Sequence, residues 1–230
     1  LGLALDPDAA GARPEANEVR DNRVAGSQAA GLRTQGRHNR FEGNELVDNN
    51  GPGIEARGSE GETFEDNVAR GNHRAGLEAQ GGRRLKAVGN DFEGNLDGVR
   101  VEGLDQSEFR DNAVRGNREQ WLRALRGASL KLVGNAVEDN GTDGVWLDHV
   151  EGVTLSGNRV AGNGAVGLQL EHVEGAEVFD NAFSNNDGGV AVWGGHRVEV
   201  RFNDVVDHAG YGLWAMGAEP VGAMAMVTLP

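Results

Sequence analysis

The sequence predicts an all-β solenoid of about nine to ten coils of 22–23 residues. Three observations predict it: a recurring asparagine, a glycine followed by an aliphatic residue, and apolar residues that alternate with polar ones in between. The asparagines are Asn22, Asn44, Asn67, Asn90, Asn112, Asn135, Asn158, Asn181 and Asn203, in steps of 22 or 23. Five residues after each stand Ser27, Asn49, Asn72, Asn95, Asn117, Asn140, Asn163, Asn186 and His208. The glycines are Gly31, Gly53, Gly76, Gly98, Gly144, Gly167, Gly189 and Gly212, and Trp121 breaks this column in one repeat.

Each coil divides into three short strands. The glycine-led strand opens on Leu32, Ile54, Leu77, Val99, Leu122, Val145, Leu168, Val190 or Leu213. A second strand precedes the first asparagine and carries an inward column of Phe41, Phe64, Ala87, Phe109, Leu132, Leu155, Val178 and Val200. A third follows the asparagine and carries Val24, Leu46, Ala69, Phe92, Val114, Val137, Val160, Phe183 and Val205. Period-two alternation is the mark of strands, and no stretch has helical spacing. The asparagines sit where the chain must bend, a place where asparagine tolerates left-handed backbone angles. Stacked at a coil spacing of ~4.8 Å, their amides can bond the copies above and below. A glycine at the next corner lets the chain turn without a Cβ clash. These columns are scaffold, since such repeats are stacking units.

The ends differ from the repeat. Gly2-Leu3-Ala4-Leu5-Asp6 reads as another glycine-led strand, so the chain is expected to begin inside a coil. The β-helix is expected over 1–215, with 216–230 as an apolar cap or tail. Solenoid ends need cover, which suggests a homo-oligomer or a larger parent chain.

Composition removes several function classes. The absence of cysteine excludes disulfides, a thiol nucleophile and thiolate metal sites. The net charge of −14 argues against broad nucleic-acid binding. No apolar run approaches the ~18 residues of a membrane span. The charge is uneven: 1–131 holds 19 basic and 22 acidic residues (−3), and 132–230 holds three and 14 (−11).

The repeat pattern from Asn22 to Leu213 resembles the right-handed parallel β-helix families of the pectin-lyase-like superfamily. The style of repeat is similar to that of mannuronan epimerases and of copper-accessory proteins of nitrous oxide reductase. The resemblance implies a single-stranded right-handed parallel β-helix, a secreted or periplasmic location, and a polysaccharide groove on the face of the glycine-led strands. Val145-Trp146-Leu147-Asp148-His149 resembles the WIDH-like strand of pectate lyases, whose RxPxxR motif is absent. The DPHE motif of mannuronan epimerases is also absent, with Asp6-Pro7-Asp8 the nearest segment. Gly162-Asn-Gly-Ala-Val-Gly167 fits GxGxxG without the helix that a dinucleotide site needs.

Two outward columns of the glycine-led strand hold the candidate chemistry. The first runs Arg33, Glu55, Glu78, Arg100, Arg123, Trp146, Gln169, Ala191, Trp214; the second runs Gln35, Arg57, Gln80, Glu102, Leu125, Asp148, Glu171, Trp193, Met216. Trp146, Trp193 and Trp214, with Arg100 and Glu171, are the expected substrate contacts, because exposed rings along a flat sheet suit sugar faces. Tryptophan also simply favours strands. His149, His172, Asp148 and Arg123 are the expected catalytic residues. A base would remove the proton α to a uronate carboxylate, and Arg123 or a bound cation would neutralise that carboxylate. Asp148 and Glu171 stack one coil apart, and with His172 they are the candidate ligands for calcium or another divalent metal. His149-Val-Glu-Gly152 and His172-Val-Glu-Gly175 also read as duplicated turns.

The function expected is therefore carbohydrate-active: binding, and lyase or epimerase action, on an acidic polysaccharide. One alternative is a non-catalytic adhesion or scaffold solenoid. Another is periplasmic copper delivery through His208, Met216, Met224 and Met226, since methionine sulfur suits soft copper; those methionines equally suit cap packing.

Overall fold

The computed structural model describes residues 2–217 and the short strand Gly222–Met224. Among these residues every regular element is a β-strand and every pairing is parallel, as the alternation predicts. No helix is long and apolar enough to cross a membrane. The glycine-led strand and the second strand of each coil join into one 19-stranded sheet, and the third strands form a 9-stranded sheet. A typical coil runs through Leu77–Arg83, Lys86–Val88 and Asp91–Glu93. Leu3–Leu5 pairs with Leu32–Thr34 as an additional glycine-led strand. Gly222–Met224 pairs with Glu199–Arg201 and places Ala223 opposite Val200. Met226 and the remainder of the expected cap lie outside the described residues.

Both predicted inward columns face the interior. Phe41, Phe64, Phe92, Phe109, Leu132 and Phe183 are completely buried. Phe41 and Phe64 stack at 5.1 Å in consecutive coils. Parallel register forces this: one inward position per strand, repeated at the coil spacing, puts like on like. Trp121 is also completely buried, so this tryptophan belongs to the core rather than to the outward face.

The asparagine ladders form as expected, with two additions. Asn112 Nδ2 donates to Asn135 Oδ1 (2.9 Å) and to the carbonyl of Ala87 (3.0 Å), and its backbone N–H donates to the same Asn135 Oδ1 (3.1 Å). The Asn112 amide thus satisfies two backbone groups of the preceding coil, the Ala87 carbonyl and the Asn90 N–H, and bonds the Asn135 side chain of the next. The left-handed residue is not the asparagine. It is the residue before it, such as Asp21, Asp66, Asp111 and Asp180 in the first ladder and Asp48 and Asp139 in the second. The asparagine must aim its amide along the ladder, so its neighbour makes the reversal. A shorter third ladder runs Asn17, Asn39 and Glu62. Glu62 is fully buried, and burial pushes its carboxyl above the usual range.

The glycine corners are set by close approach. A Cβ on Gly76 would lie 2.7 Å from both the Gly98 carbonyl oxygen and Phe92 Cδ1. His208 stands at the last position of the second ladder and contacts the Asn186 carbonyl at 3.4 Å.

Candidate functional site

The strand register places both outward columns as the sequence implies. Arg100, Arg123, Trp146, Gln169, Ala191 and Trp214 lie opposite one another in consecutive coils. Glu102, Leu125, Asp148, Glu171, Trp193 and Met216 form the parallel column two residues along. Consecutive rungs are ~4.8 Å apart, so the face is a flat lattice of side chains.

Its arginines divide into two groups. Arg33 is tied to Asp6, Arg57 to Glu55 at 2.5 Å, and Arg74 beside the face to Glu78 at 3.0 Å. Arg100 and Arg123 have no acidic partner within 4.0 Å among the described residues. The Arg123 guanidinium lies 4.7 Å over the Trp146 ring. That contact covers one ring face, so Trp146 presents a cation and an edge rather than a bare stacking surface.

On the same strand as Trp146, Asp148 and His149 come together with His172 of the next coil. His149 Nδ1 is 2.6 Å from Asp148 Oδ1, and His172 Nδ1 is 3.5 Å from the same oxygen. The imidazole rings stack at 4.6 Å with 27° between their planes. Glu171 stands beside Asp148 as expected, and its carboxylate accepts a bond from Gln169 Nε2. The carboxylate of Asp148 is therefore shared by two imidazoles, with Glu171 opposite it in the strand register. Both histidines have left-handed backbones, at φ 54° and 49°.

At the far end Trp193 and Trp214 meet edge to face at 4.4 Å, with Tyr211 5.8 Å from Trp214. Trp193 is 41% exposed, while Trp146 and Trp214 are half-buried. Met216 stands exposed beside Trp193.

The sequence reading missed one column. The position before the glycine corner runs Ala30, Pro52, Ala75, then Asp97, Gln120 and Asp143. Asp97 is 1% exposed, and burial pushes its carboxyl up to about 6; Glu119 adds to that shift, while Arg100 and Arg123 oppose it. Burial also raises Asp143, whose carboxylate accepts the Val166 N–H at 3.0 Å. Tyr211 is raised by burial and by the charges of Asp143 and Asp187. Asp97 Oδ1, Gln120 Oε1 and Arg123 Nε have no protein hydrogen-bond partner. The switch from small apolar to polar residues in this column was the available signal.

The family model described as "Right handed beta helix region" matches residues 9–147 and 122–221. Among curated proteins no sequence matches. Of solved structures, the A-module of the mannuronan C-5 epimerase AlgE4 of Azotobacter vinelandii is similar with a TM-score of 0.63 at 13% identity, covering 97% of this chain and 87% of that one. The periplasmic alginate epimerase AlgG gives 0.57 at 14% identity, covering 83% of this chain; the match spans 61% of AlgG. The Dettilon tailspike protein gives 0.58 at 12% identity, covering 88% and 51%. At these identities the likeness is one of fold.

Proposed function

Since the chain belongs to the right-handed β-helix family, we propose that it is a carbohydrate-active β-helix protein that binds an acidic polysaccharide along the outward face of its glycine-led strands. The observation that carries this reading is the pair Arg100 and Arg123, free of acidic partners on a face where the other arginines are paired. Guanidinium groups bind carboxylates through two parallel hydrogen bonds, so unpaired ones on consecutive rungs suit successive uronates. Trp193 and Trp214 offer ring faces and edges at the other end of the track. The likeness to the mannuronan C-5 epimerase AlgE4 and to the periplasmic alginate epimerase AlgG supports a uronate polymer and a place outside the cytoplasm.

The chemistry of the reading is proton abstraction α to a carboxylate. Arg123 neutralises the carboxylate as negative charge builds, and His149 or His172, oriented by Asp148, takes the proton. Return of a proton to the opposite face gives the epimer. Expulsion of the glycosidic oxygen gives an unsaturated chain end. A divalent cation at Asp148 and His172, with Glu171 beside them, would serve the same neutralising end.

Affinity electrophoresis through polymannuronate, polyguluronate and polygalacturonate, with proton NMR of the incubated polymers, tests both parts. Retention of the wild-type chain on at least one polyuronate, lost in Arg100→Ala/Arg123→Ala, is expected. Equal retention of that variant overturns the binding face. Full activity in Arg123→Ala/His149→Ala overturns the proton-transfer assignment. No retention on any uronate polymer favours the non-catalytic solenoid.

A further inference from the structure

We infer that Asp148, His149 and His172 form a binding site for a divalent transition ion of the zinc class. This deepens the cation part of the proposed function, and it is tested without any sugar. Their ligand atoms all lie within 4.8 Å of one another. Parallel register builds the site: Asp148 pairs with Glu171, so His149 and His172 occupy the same position of consecutive coils. Exposed side chains at that spacing close on an ion by small rotations about χ1 and χ2. Two imidazole nitrogens and one carboxylate oxygen match zinc and its neighbours, whereas calcium takes six to eight oxygens. The second carboxylate that a calcium site would draw on, Glu171, is held by Gln169.

The backbone supplies an independent observation. In the coils on either side this left-handed position is glycine: Gly58, Gly81, Gly103, Gly194 and Gly217. Arg126, His149 and His172 are the three exceptions. A side chain here costs conformational energy that glycine avoids, and strain of this kind gathers at functional sites. Two of the three strained residues are the imidazoles that face one carboxylate. The third, Arg126, is drawn one coil back by Glu102 at 2.7 Å, away from the ligands. On the other side Gly194 leaves the His172 ring its room, since a Cβ there would sit 3.1 Å from His172 Cδ2. A cleft of 340 Å³ lined by Leu125, Arg126, Asp148 and His149 opens beside the cluster, leaving access to further coordination positions. The surrounding half of the chain is the acidic one, which favours a cation electrostatically.

Chelator-treated protein titrated with zinc chloride by calorimetry, and with cobalt(II) by visible absorption, tests the site. One equivalent of zinc is expected, with cobalt absorption reporting imidazole ligation, and millimolar calcium should not displace it. His149→Gly and His172→Gly carry the residue of the neighbouring coils, so the backbone is kept while the ligand is lost. Each should weaken zinc at least tenfold, and Asp148→Asn likewise, while substitution to alanine of His196, which pairs with Glu174 outside the cluster, leaves it unchanged. Wild-type affinity in the His149→Gly/His172→Gly double variant overturns the assignment, as does stoichiometric displacement of zinc by calcium. Polyuronate retention is read separately, so its loss or survival bears on the binding face and not on the ion.

Discussion

Asp97 ties the stability of the fold to pH. Its carboxyl is raised to about 6 from 3.8, chiefly by burial, so the folded state holds a proton that the unfolded state releases. Its contribution is therefore complete below pH ~4 and declines as pH rises through ~6, by at most about 3 kcal/mol. Asp97→Asn should remove that slope, raising the thermal midpoint at pH 7.5 relative to wild type and leaving it nearly unchanged at pH 4. Parallel midpoint–pH curves for the two proteins would contradict the assignment. The charges of Arg100 and Arg123 act on the same carboxyl without pairing with it, so part of the cationic face is coupled to one buried acid.

Among elements, the ladder is the unit that converts a repeat into a structure. Each interior asparagine, such as Asn112, satisfies backbone groups of the coil before it and bonds the amide of the coil after it, so no single coil is complete alone. Asn112→Ala removes both donor bonds of the Asn112 amide and leaves the N–H and amide of Asn90 without their acceptor. Urea unfolding should show a loss of about 3 kcal/mol or more, because buried orphan groups cost ~1–3 kcal/mol each. A loss below ~1 kcal/mol would mean that water replaces the ladder. The glycine-led strands work differently: inward residues fix the register, and this aligns the outward chemistry of Arg100, Arg123, Trp146 and Trp214 into one track.

At the scale of the molecule, charge is graded along the solenoid. The face is cationic at Arg100 and Arg123 and acidic from Asp148 onward, within a half that carries −11 against −3 for the other. A bound polyanion is held at one end and repelled at the other unless a cation intervenes. Polyuronate retention should therefore weaken when ionic strength is raised from about 0.05 M to 0.5 M, as screening shortens the reach of Arg100 and Arg123. Zinc should strengthen retention in the wild type and not in the His149→Gly/His172→Gly variant. Retention independent of salt would point to the aromatic end, Trp193 and Trp214, as the anchor.

The sequence by itself determined the solenoid, the inward columns, the ladders and the identity of both outward columns, because a constant step of 22 or 23 residues leaves parallel pairing one register. Residues such as Phe109 and Asn112 carry their positions in the spacing. What only the tertiary structure decided depends on neighbours across coils and on side-chain direction. Spacing placed Asp148 opposite Glu171, as the register has it, but only the fold turned two imidazoles toward Asp148 and Gln169 toward Glu171. Spacing marked Trp121 only as a break in the glycine column, and the fold buried it in the core. Asp97 became visible only through its burial, for a column position states which residues are adjacent and not how much water reaches them.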